Sequence, residues 1–412
     1  MFEGLHIVRN STRNKVLILA SGLFFAIGLL ALIGPSLPDL ARNNNTDLAS
    51  AGAIFTALYL GSIPAQLVSG WLNDKYGPIA VMVIGMVIMA VGLLAVTQSH
   101  SLLLTLALMA FAGVGDGALV VGANVIVAQT FARRRATALS LMNVFYGVGA
   151  IIGPVLVGIS LGIWQTALPA MAVVSLLLVL LLPVTRGLNK GHRELIARAE
   201  ETEQDREATG QGGIYKSPLL WLLAAMMLLY VGTEIGIGGW ISTYTARTTL
   251  IGTETAALIA SVFYLALTGG RLVGAALGTK MRAEQLLMVS LAGAMIGGVG
   301  LLLGVGNIEL TIGSVVVTGA TFGPIYPTVL AVTAARFSSN AGKAAALVMA
   351  IGSIGGVIFP WLFGILLVGL GAQSVAQFVT LLIAVLASVF GVAMVATRRM
   401  DRTPVGVSER VS

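Results

Sequence analysis

The feature that most constrains this chain is its series of long apolar stretches, each of which could cross a lipid bilayer as a helix. A spanning helix needs about 20 apolar residues. Only 10% of the residues are charged, whereas soluble proteins carry about 25%, so we predict an all-α integral membrane protein. Twelve transmembrane helices are predicted, over 15–38, 48–72, 78–97, 102–130, 136–160, 164–185, 218–246, 254–279, 284–304, 308–335, 341–369 and 372–397.

Lysine and arginine residues orient the predicted bundle, because cytoplasmic loops collect them. One side would hold only Arg42 and Arg247. The other side, which we assign to the cytoplasm together with both termini, would hold Arg9, Arg13, Lys15, Lys75, Arg133, Arg134, Arg135, the 186–216 segment, Lys280, Arg282, Arg336, Lys343 and the tail from Arg398.

This topology predicts a multi-pass protein of the bacterial plasma membrane, with the lipid bilayer as its surroundings. The net charge is +7, but the basic residues behind it follow the predicted membrane topology. We therefore expect no nucleic-acid partner. The first apolar run is long and no small-residue cleavage site follows it. We therefore expect it to be kept as the first span and not removed as a signal peptide.

Residues 187–217 are the one long polar insertion, and they divide the spans six and six. We predict a cytoplasmic linker there, between an N-terminal bundle over 1–186 and a C-terminal bundle over 218–412. The alternative, a ligand site in the linker, is disfavoured because its acids and bases are scattered. The acids are Glu200, Glu201, Glu203, Asp205 and Glu207.

Glycines recur at matching places in the two halves, which indicates a duplicated unit. Gly149 lies five residues before Pro154, as Gly355 lies five before Pro360. Duplicated bundles commonly enclose a site near the bilayer midplane that opens alternately to each side. At an offset of 204, the matching pairs are Gly28 with Gly232, Gly34 with Gly238, and Gly70 with Gly274.

Two acids and one base fall deep inside predicted spans: Asp116, Glu234 and Arg271. A charged carboxylate at such a depth costs roughly 2.5–3.5 kcal/mol on insertion scales, which favours a functional role. Burial disfavours the charged form, so Asp116 and Glu234 are predicted to couple transport to protons. Structural pairing is the alternative for both. Arg271 could pair with Glu234 and hold it ionised, and the sequence leaves this open.

A motif between spans two and three resembles the G-x-x-x-D-[RK]-x-G signature of the major facilitator superfamily. It reads Gly70-Trp71-Leu72-Asn73-Asp74-Lys75-Tyr76-Gly77, although Pro78-Ile79 follow where the family has more basic residues. The resemblance implies two six-helix bundles that transport by alternating access. Asp74 would then neutralise the positive N-terminus of the helix near Asn340 in one state only. The predicted gating residues are Gly70, Asp74, Lys75, Gly77 and Arg135.

Within that superfamily, short segments resemble the fucose:proton symporter type of sugar porter. They are Leu23-Phe24-Phe25, Tyr230-Val231-Gly232, Gly270-Arg271-Leu272, Tyr326-Pro327-Thr328 and the glycine run over 352–360.

This resemblance implies sugar contacts for Asn143 and Tyr146, and it places Glu234 at a glutamine-type position. The chain departs from the family in two places. Gly34-Pro35 stand where the family has an acid in span one. The span-four acid falls near Val120, one turn from Asp116, which could stand in for it on the same helix face.

The predicted ligand wall combines amides with aromatic rings, which suits a sugar because amides bond its edge and a ring covers its apolar face. Each residue is also a candidate for an interhelical hydrogen bond or for core packing. The predicted substrate-binding residues are Asn124, Asn143, Tyr146, Trp240, Tyr244 and Tyr326, with Tyr59, Gln66, Gln129 and Tyr264 as further cavity candidates.

The function that the sequence predicts is proton-coupled uptake of a sugar or a similar small polar solute, with sodium as the alternative ion. A drug or metabolite:proton antiporter is the second hypothesis, because the sequence from Gly149 to Pro154 resembles the G-x-x-x-G-P motif of drug antiporters. A non-transporting membrane sensor is the third. The three histidines lie far apart and no phosphate-binding loop occurs, so no enzyme, cofactor or metal site is expected, and nothing requires more than a monomer.

Overall fold

The computed structural model describes residues 2–131, 135–159, 214–337 and 340–402, with positions 169 and 173 besides, and every regular element in these ranges is helical. Short 3-10 turns cover Leu29–Leu32 and Ile214–Lys216. The helices are α1 Phe2–Gly28, α2 Ile33–Asn43, α3 Leu48–Tyr76, α4 Pro78–Val96, α5 Leu102–Thr130, α6 Arg135–Ile159, α7 Pro218–Thr249, α8 Thr253–Leu277, α9 Ala283–Leu303, α10 Ile308–Phe322, α11 Ile325–Arg336, α12 Ala341–Gly369 and α13 Gln373–Arg402.

Eleven stretches within the described ranges are long and apolar enough to cross a membrane. They agree with eleven of the predicted spans to within a few residues. The predicted sixth span, 164–185, lies outside the described residues apart from two positions, and the predicted linker over 187–217 is described only from Ile214 onward.

Two spans that we predicted as single helices are each built from two. The first is interrupted by the turn at 29–32 and continues as α2 to Asn43, beyond its predicted end at 38. Pro35 and Pro38 follow this turn, and a proline removes the N–H that a continuous helix needs. The tenth breaks between α10 and α11, where Gly323 and Pro324 lie.

The two halves repeat the same helix contact. In the first half, Gly149 of α6 packs against α1 so closely that a Cβ would lie 3.1 Å from the Cα of Gly28. In the second half, Gly355 of α12 packs against α7, and a Cβ there would lie 2.9 Å from the backbone nitrogen of Gly232. Two of the sequence matches, Gly28 with Gly232 and Gly149 with Gly355, therefore make equivalent contacts. Gly70 and Gly274 do not, because a Cβ on Gly70 would meet nothing within 4 Å and one on Gly274 would meet Pro324.

The bundle has two ends, which we call closed and open. The closed end carries the turns at 44–47, 97–101, 250–252, 304–307 and 370–372, and the open end carries Gly77 and the turn at 278–282. Arg42 and Arg247 lie toward the closed end, whereas the basic residues described at the open end include Lys15, Lys75, Lys280, Arg282, Arg336 and Lys343.

Contacts between the halves run from the middle of the bundle to the closed end. The backbone of α2 meets that of α7, because a Cβ on Gly34 would lie 2.8 Å from the carbonyl oxygens of Gly238 and Gly239. Thr56 Oγ1 donates to the Val357 carbonyl at 2.6 Å, and Ser261 Oγ donates to the Ile151 carbonyl at 2.7 Å. Nearer the open end of α3, a Cβ on Gly70 would have nothing within 4 Å. Among the described residues, these contacts between the halves therefore lie from the middle of the bundle to the closed end.

Asp47 begins α3 at the closed end as its N-cap. Its carboxylate accepts hydrogen bonds from the Ser50 backbone N–H and hydroxyl, both at 2.8 Å. These bonds, the backbone one first, hold the pKa of the exposed Asp47 carboxyl below its ordinary 3.8.

We expect Asp47→Ala to destabilise the protein by about 1 kcal/mol at pH 7, because N-cap substitutions cost about that much. A lowered folded-state pKa gives stability above the unfolded pKa that is lost as the pH falls through the folded pKa. The difference should therefore shrink below pH 3.8. Thermal unfolding at several pH values measures it, with Asp47→Asn as the control that keeps a capping oxygen. An alanine variant as stable as the parent at pH 7 would contradict the role.

Candidate functional site

Asp116 lies where α3 and α5 approach closely. Gly113 and Gly117 of α5 rest against the carbonyls of Leu58 and Ser62 of α3, with no room for a side chain. The close approach brings Ser62 Oγ to Asp116 Oδ2, to which it donates at 2.7 Å. Asp116 is only 7% exposed, and within the described residues no basic side chain pairs with it. A buried carboxyl without a counter-ion is suited to take up a cation or a proton.

Glu234 and Arg271 form an ion pair inside the second half. Arg271 Nη2 of α8 donates to Glu234 Oε1 of α7 at 2.8 Å, with side chains 23% and 12% exposed respectively. The structure thus contains the pairing that the sequence left open. The charge of Glu234 is balanced by a guanidinium. If the carboxylate were neutralised by a proton, the charged Arg271 would be left buried without a counter-ion. Of the two predicted coupling acids, Asp116 is the better placed to exchange a proton.

Tyrosines from both halves lie within electrostatic range of the charged groups. Tyr59 and Tyr146 of the first half interact electrostatically with both Asp116 and Glu234. Tyr230, Tyr264 and Tyr326 of the second half interact with both members of the ion pair. We call the whole set the central polar cluster: Tyr59, Ser62, Gln66, Asp116, Tyr146, Tyr230, Glu234, Tyr264, Arg271 and Tyr326.

Two predicted wall residues bond to backbone carbonyls in this structure, and their contact with a substrate stays a prediction. Trp240 is fully buried, its Nε1 donates to the Pro360 carbonyl at 2.7 Å, and its ring rests against Gly52 and Gly364 near the closed end. Tyr244 is 1% exposed and donates to the Leu301 carbonyl at 2.6 Å. Their polar atoms are used in packing, because α7 is buried on nearly all its faces.

Tyr244 also lines a narrow apolar cavity within the second half, together with Ile237, Leu301 and Val379. None of these residues belongs to the central polar cluster. This space is therefore separate from the cluster and offers little to a polar solute.

The other predicted wall residues lie in or near the cluster. Tyr146 and Tyr326 belong to it, and the Tyr326 ring centroid is 6.1 Å from that of Tyr230. Asn124 and Asn143 donate to carbonyls of their own helices, at 2.7 and 2.9 Å. Asn143 is exposed and lies on α6 one turn from Tyr146, toward the open end. Substrate binding by these four residues stays a prediction.

Our reading of the sequence missed Ser62 and did not count Tyr230 among the site residues, although helix geometry offered a signal for each. Tyr230 lies four residues before Glu234 and shares its helix face, whereas Trp240 lies six after it on another face. Ser62 precedes Gln66 by four, so the two share a face of α3. The contact between this face and Asp116 depends on the packing of α3 on α5, which the sequence does not show.

The predicted gating motif ends α3 and begins α4. Gly77 has φ 88°, a conformation that favours glycine, and Pro78 occupies the first position of α4. Asp74 is exposed and pairs with no described side chain, while Lys75 Nζ lies 4.9 Å from the centroid of the Trp71 ring. Arg135 begins α6. The gating role stays a prediction.

In the described ranges, no group of three or more histidine, cysteine, aspartate or glutamate side chains is placed to hold a metal ion.

Taken together, the apolar helices, the two similar halves and the polar cluster between them define a polytopic membrane protein with a central site. The sequence model of the Major Facilitator Superfamily matches residues 19–307 and 251–411. The chain therefore belongs to the major facilitator superfamily, and it is a multi-pass membrane transporter.

Known proteins resemble it at modest identity. It is 24% identical over 378 residues to the human sodium-dependent glucose transporter 1, covering 83% of this chain and 72% of that protein. It is 26% identical over 365 residues to the class H tetracycline resistance protein of Pasteurella multocida, covering 85% and 88%. The crystal structure of a D-xylose-proton symporter superposes with a TM-score of 0.72 at 13% identity, covering 91% and 96%.

Proposed function

We propose that this protein takes up a sugar, or a similar small polar solute, by alternating access and drives the uptake with a proton gradient. The observation that carries the proposal is the central polar cluster, because both halves contribute to it and the contacts described between the halves lie from the cluster toward the closed end. A solute could enter from the open end in this state. When the halves rock, it would be exposed to the other end.

The orientation follows from the distribution of charge. The open end carries most of the described lysines and arginines, so we assign it to the cytoplasm together with both termini. In this arrangement the chain has twelve spans as two bundles, over 1–186 and 218–412, in a bacterial plasma membrane. It works as a monomer. The described state then faces inward.

A sugar is the solute class that the cluster suits best. Of its tyrosines, Tyr59, Tyr146 and Tyr326 are partly exposed and offer hydroxyl groups and ring faces, and such surfaces bind the polar edge and the apolar face of a sugar. Relatives named for glucose and a structural neighbour named for xylose point the same way. The short segments that resemble fucose:proton symporters agree with this class.

Asp116 is the proton carrier in this proposal, since it is buried and has no described counter-ion. We expect Asp116→Asn to lower sugar accumulation driven by a pH gradient at least tenfold, because the amide cannot release a proton. Exchange of labelled for unlabelled sugar without a gradient should persist. Proteoliposomes preloaded with buffer at a different pH, and tested with a panel of labelled hexoses and pentoses, measure both.

The control is Glu309→Gln, which neutralises an exposed acid of α10. It should transport like the parent. If no sugar moves with or without a pH gradient, the proposed function is wrong. If Asp116→Asn still accumulates sugar, Asp116 is not the carrier. A repeat with a sodium gradient at constant pH tests the alternative ion that the glucose relative is named for.

Export of a drug or metabolite in exchange for protons is the second candidate. It is favoured by the tetracycline resistance protein, which aligns over most of both chains. Gly153 of the G-x-x-x-G-P motif packs against α1 beside the 29–32 turn, where a Cβ would lie 2.7 Å from the Leu29 carbonyl. Raised tolerance to tetracycline in cells that express the chain, abolished by Asp116→Asn, would support export over uptake.

A further inference from the structure

We propose that Ser62 and Gln66 are positioning residues for Asp116, forming a hydrogen-bond chain that can reverse and so hold the carboxyl group in both its charged and its protonated form. The inference deepens the proposed function, in which Asp116 carries the proton. It concerns how one buried acid changes its charge without losing its hydrogen-bond partner.

The chain has a definite direction in this structure. Gln66 Nε2 donates to Ser62 Oγ at 3.1 Å, and Ser62 Oγ donates to Asp116 Oδ2 at 2.7 Å. Both donors point toward the carboxylate, which is the order that a charged Asp116 requires. Ser62 is fully buried, whereas Gln66 is half-buried one turn nearer the open end. The chain therefore runs from the buried acid toward that end.

The same two side chains can also serve the protonated acid. A protonated carboxyl group becomes a donor, and a hydroxyl group accepts as readily as it donates. Ser62 would then accept from Asp116 and donate to Gln66, whose amide carries an oxygen acceptor beside its nitrogen donor. Rotation of one hydroxyl and one amide reverses the chain, so neither form of Asp116 is left buried and unpaired.

Among the described groups that face Asp116, Ser62 is the one that forms a hydrogen bond with its carboxyl group. On α3 and α6, the titratable groups within electrostatic reach are Tyr59 and Tyr146. Helix α4, which packs along α5, carries no titratable side chain. On α1, the described charged side chain is Lys15, which is exposed at the open end. Ser62 makes the hydrogen bond to Asp116 that the structure contains.

The second half shows that helix packing alone does not need these polar groups. There Gly319 and Gly323 rest against the carbonyls of Phe263 and Leu267, as Gly113 and Gly117 do against Leu58 and Ser62. This correspondence places Leu267 opposite Ser62 and Phe322 opposite Asp116, and both are fully buried apolar residues. The same spacing places Arg271 where the first half has Gln66. The polar chain is thus a feature of one half only.

The test is the protonation of Asp116 measured directly in the purified full chain. Infrared difference spectra give the carboxylic acid carbonyl band, which is assigned to Asp116 by its loss in Asp116→Asn. In Ser62→Ala both forms of Asp116 lose a hydrogen bond, but the charged form loses the stronger one. The band should therefore persist to a pH about one unit or more higher than in the parent. Ser62→Thr keeps the hydroxyl and should restore the parent midpoint to within about 0.3 pH units.

Gln66→Leu should shift the midpoint in the same direction by less, because Ser62 remains. Ser69→Ala is the matched control, a buried serine of the same helix two turns away, and it should change nothing. An unshifted band in Ser62→Ala, or an equal shift in Ser69→Ala, overturns the inference. Sugar transport is not part of this readout, so a shifted band without transport would reject the proposed function and leave the positioning role supported.

Discussion

Replacing Arg271 with leucine is expected to destabilise the protein by about 3 kcal/mol, because removing one partner of a buried ion pair leaves the other charge uncompensated. Arg271 holds Glu234 at 2.8 Å, and both side chains are largely enclosed. Thermal unfolding of the detergent-solubilised protein measures the loss. We expect Glu234→Gln to lower stability as well, by less, since a guanidinium 23% exposed keeps some access to water.

The double variant Arg271→Leu with Glu234→Gln distinguishes the contribution of the ion pair to stability from the contributions of the two residues taken singly. It should be more stable than Arg271→Leu alone, because no buried charge remains unpaired. Arg247→Leu, which removes an exposed arginine from the end of α7, is the control and should be nearly neutral. Strictly additive losses in the double variant would mean that the two residues act independently.

Replacing Gly52 with tryptophan is expected to abolish transport and trap the halves apart at the closed end. Gly52 of α3 lies against the Trp240 ring, where even a Cβ would be 2.8 Å from Cζ2. An indole there cannot be accommodated without moving α3 from α7. Because the chain has no native cysteine, Thr56→Cys gives a single thiol at the neighbouring contact with Val357. We expect its labelling by an impermeant reagent to accelerate more than tenfold in the Gly52→Trp background.

The matched control is Gly391→Trp on α13, where an added Cβ would meet nothing within 4 Å. It should transport normally and leave Thr56→Cys slow to react. A Gly52→Trp variant whose thiol labels no faster than in the control would show that this contact does not hold the closed end together.

The spans were predictable because bilayer thickness sets their length, and the deep charges were visible because each interrupts an apolar run. The breaks at 29–32 and at Gly323–Pro324 were not anticipated, although prolines lie beside both. Hydropathy depends on composition alone. A proline changes the hydrogen bonding of the backbone but hardly changes the mean hydropathy of a span.

The contents of the site were only partly predictable. Tyr146 and Tyr326 were identified by residue type and depth, and the structure places both beside the charged pair. The hydrogen bonds of Trp240 and Tyr244 to backbone carbonyls were not predictable, because an amphipathic aromatic residue looks the same in sequence whether its polar atom meets a solute or a carbonyl. The partnership of Ser62 with Asp116 depends on a helix contact made across 54 residues, which no local pattern encodes.

Each acid of the central site bonds within its own half: Asp116 to Ser62, and Glu234 to Arg271. If the halves rock as units, both strong bonds travel with them unchanged. The contacts that bridge the halves must be exchanged, among them the tyrosine interactions of the central site and the hydrogen bonds of Thr56 and Ser261 nearer the closed end. Reorientation would then break contacts between neutral groups and leave the ion pair intact, which keeps the energy barrier between the two conformations low.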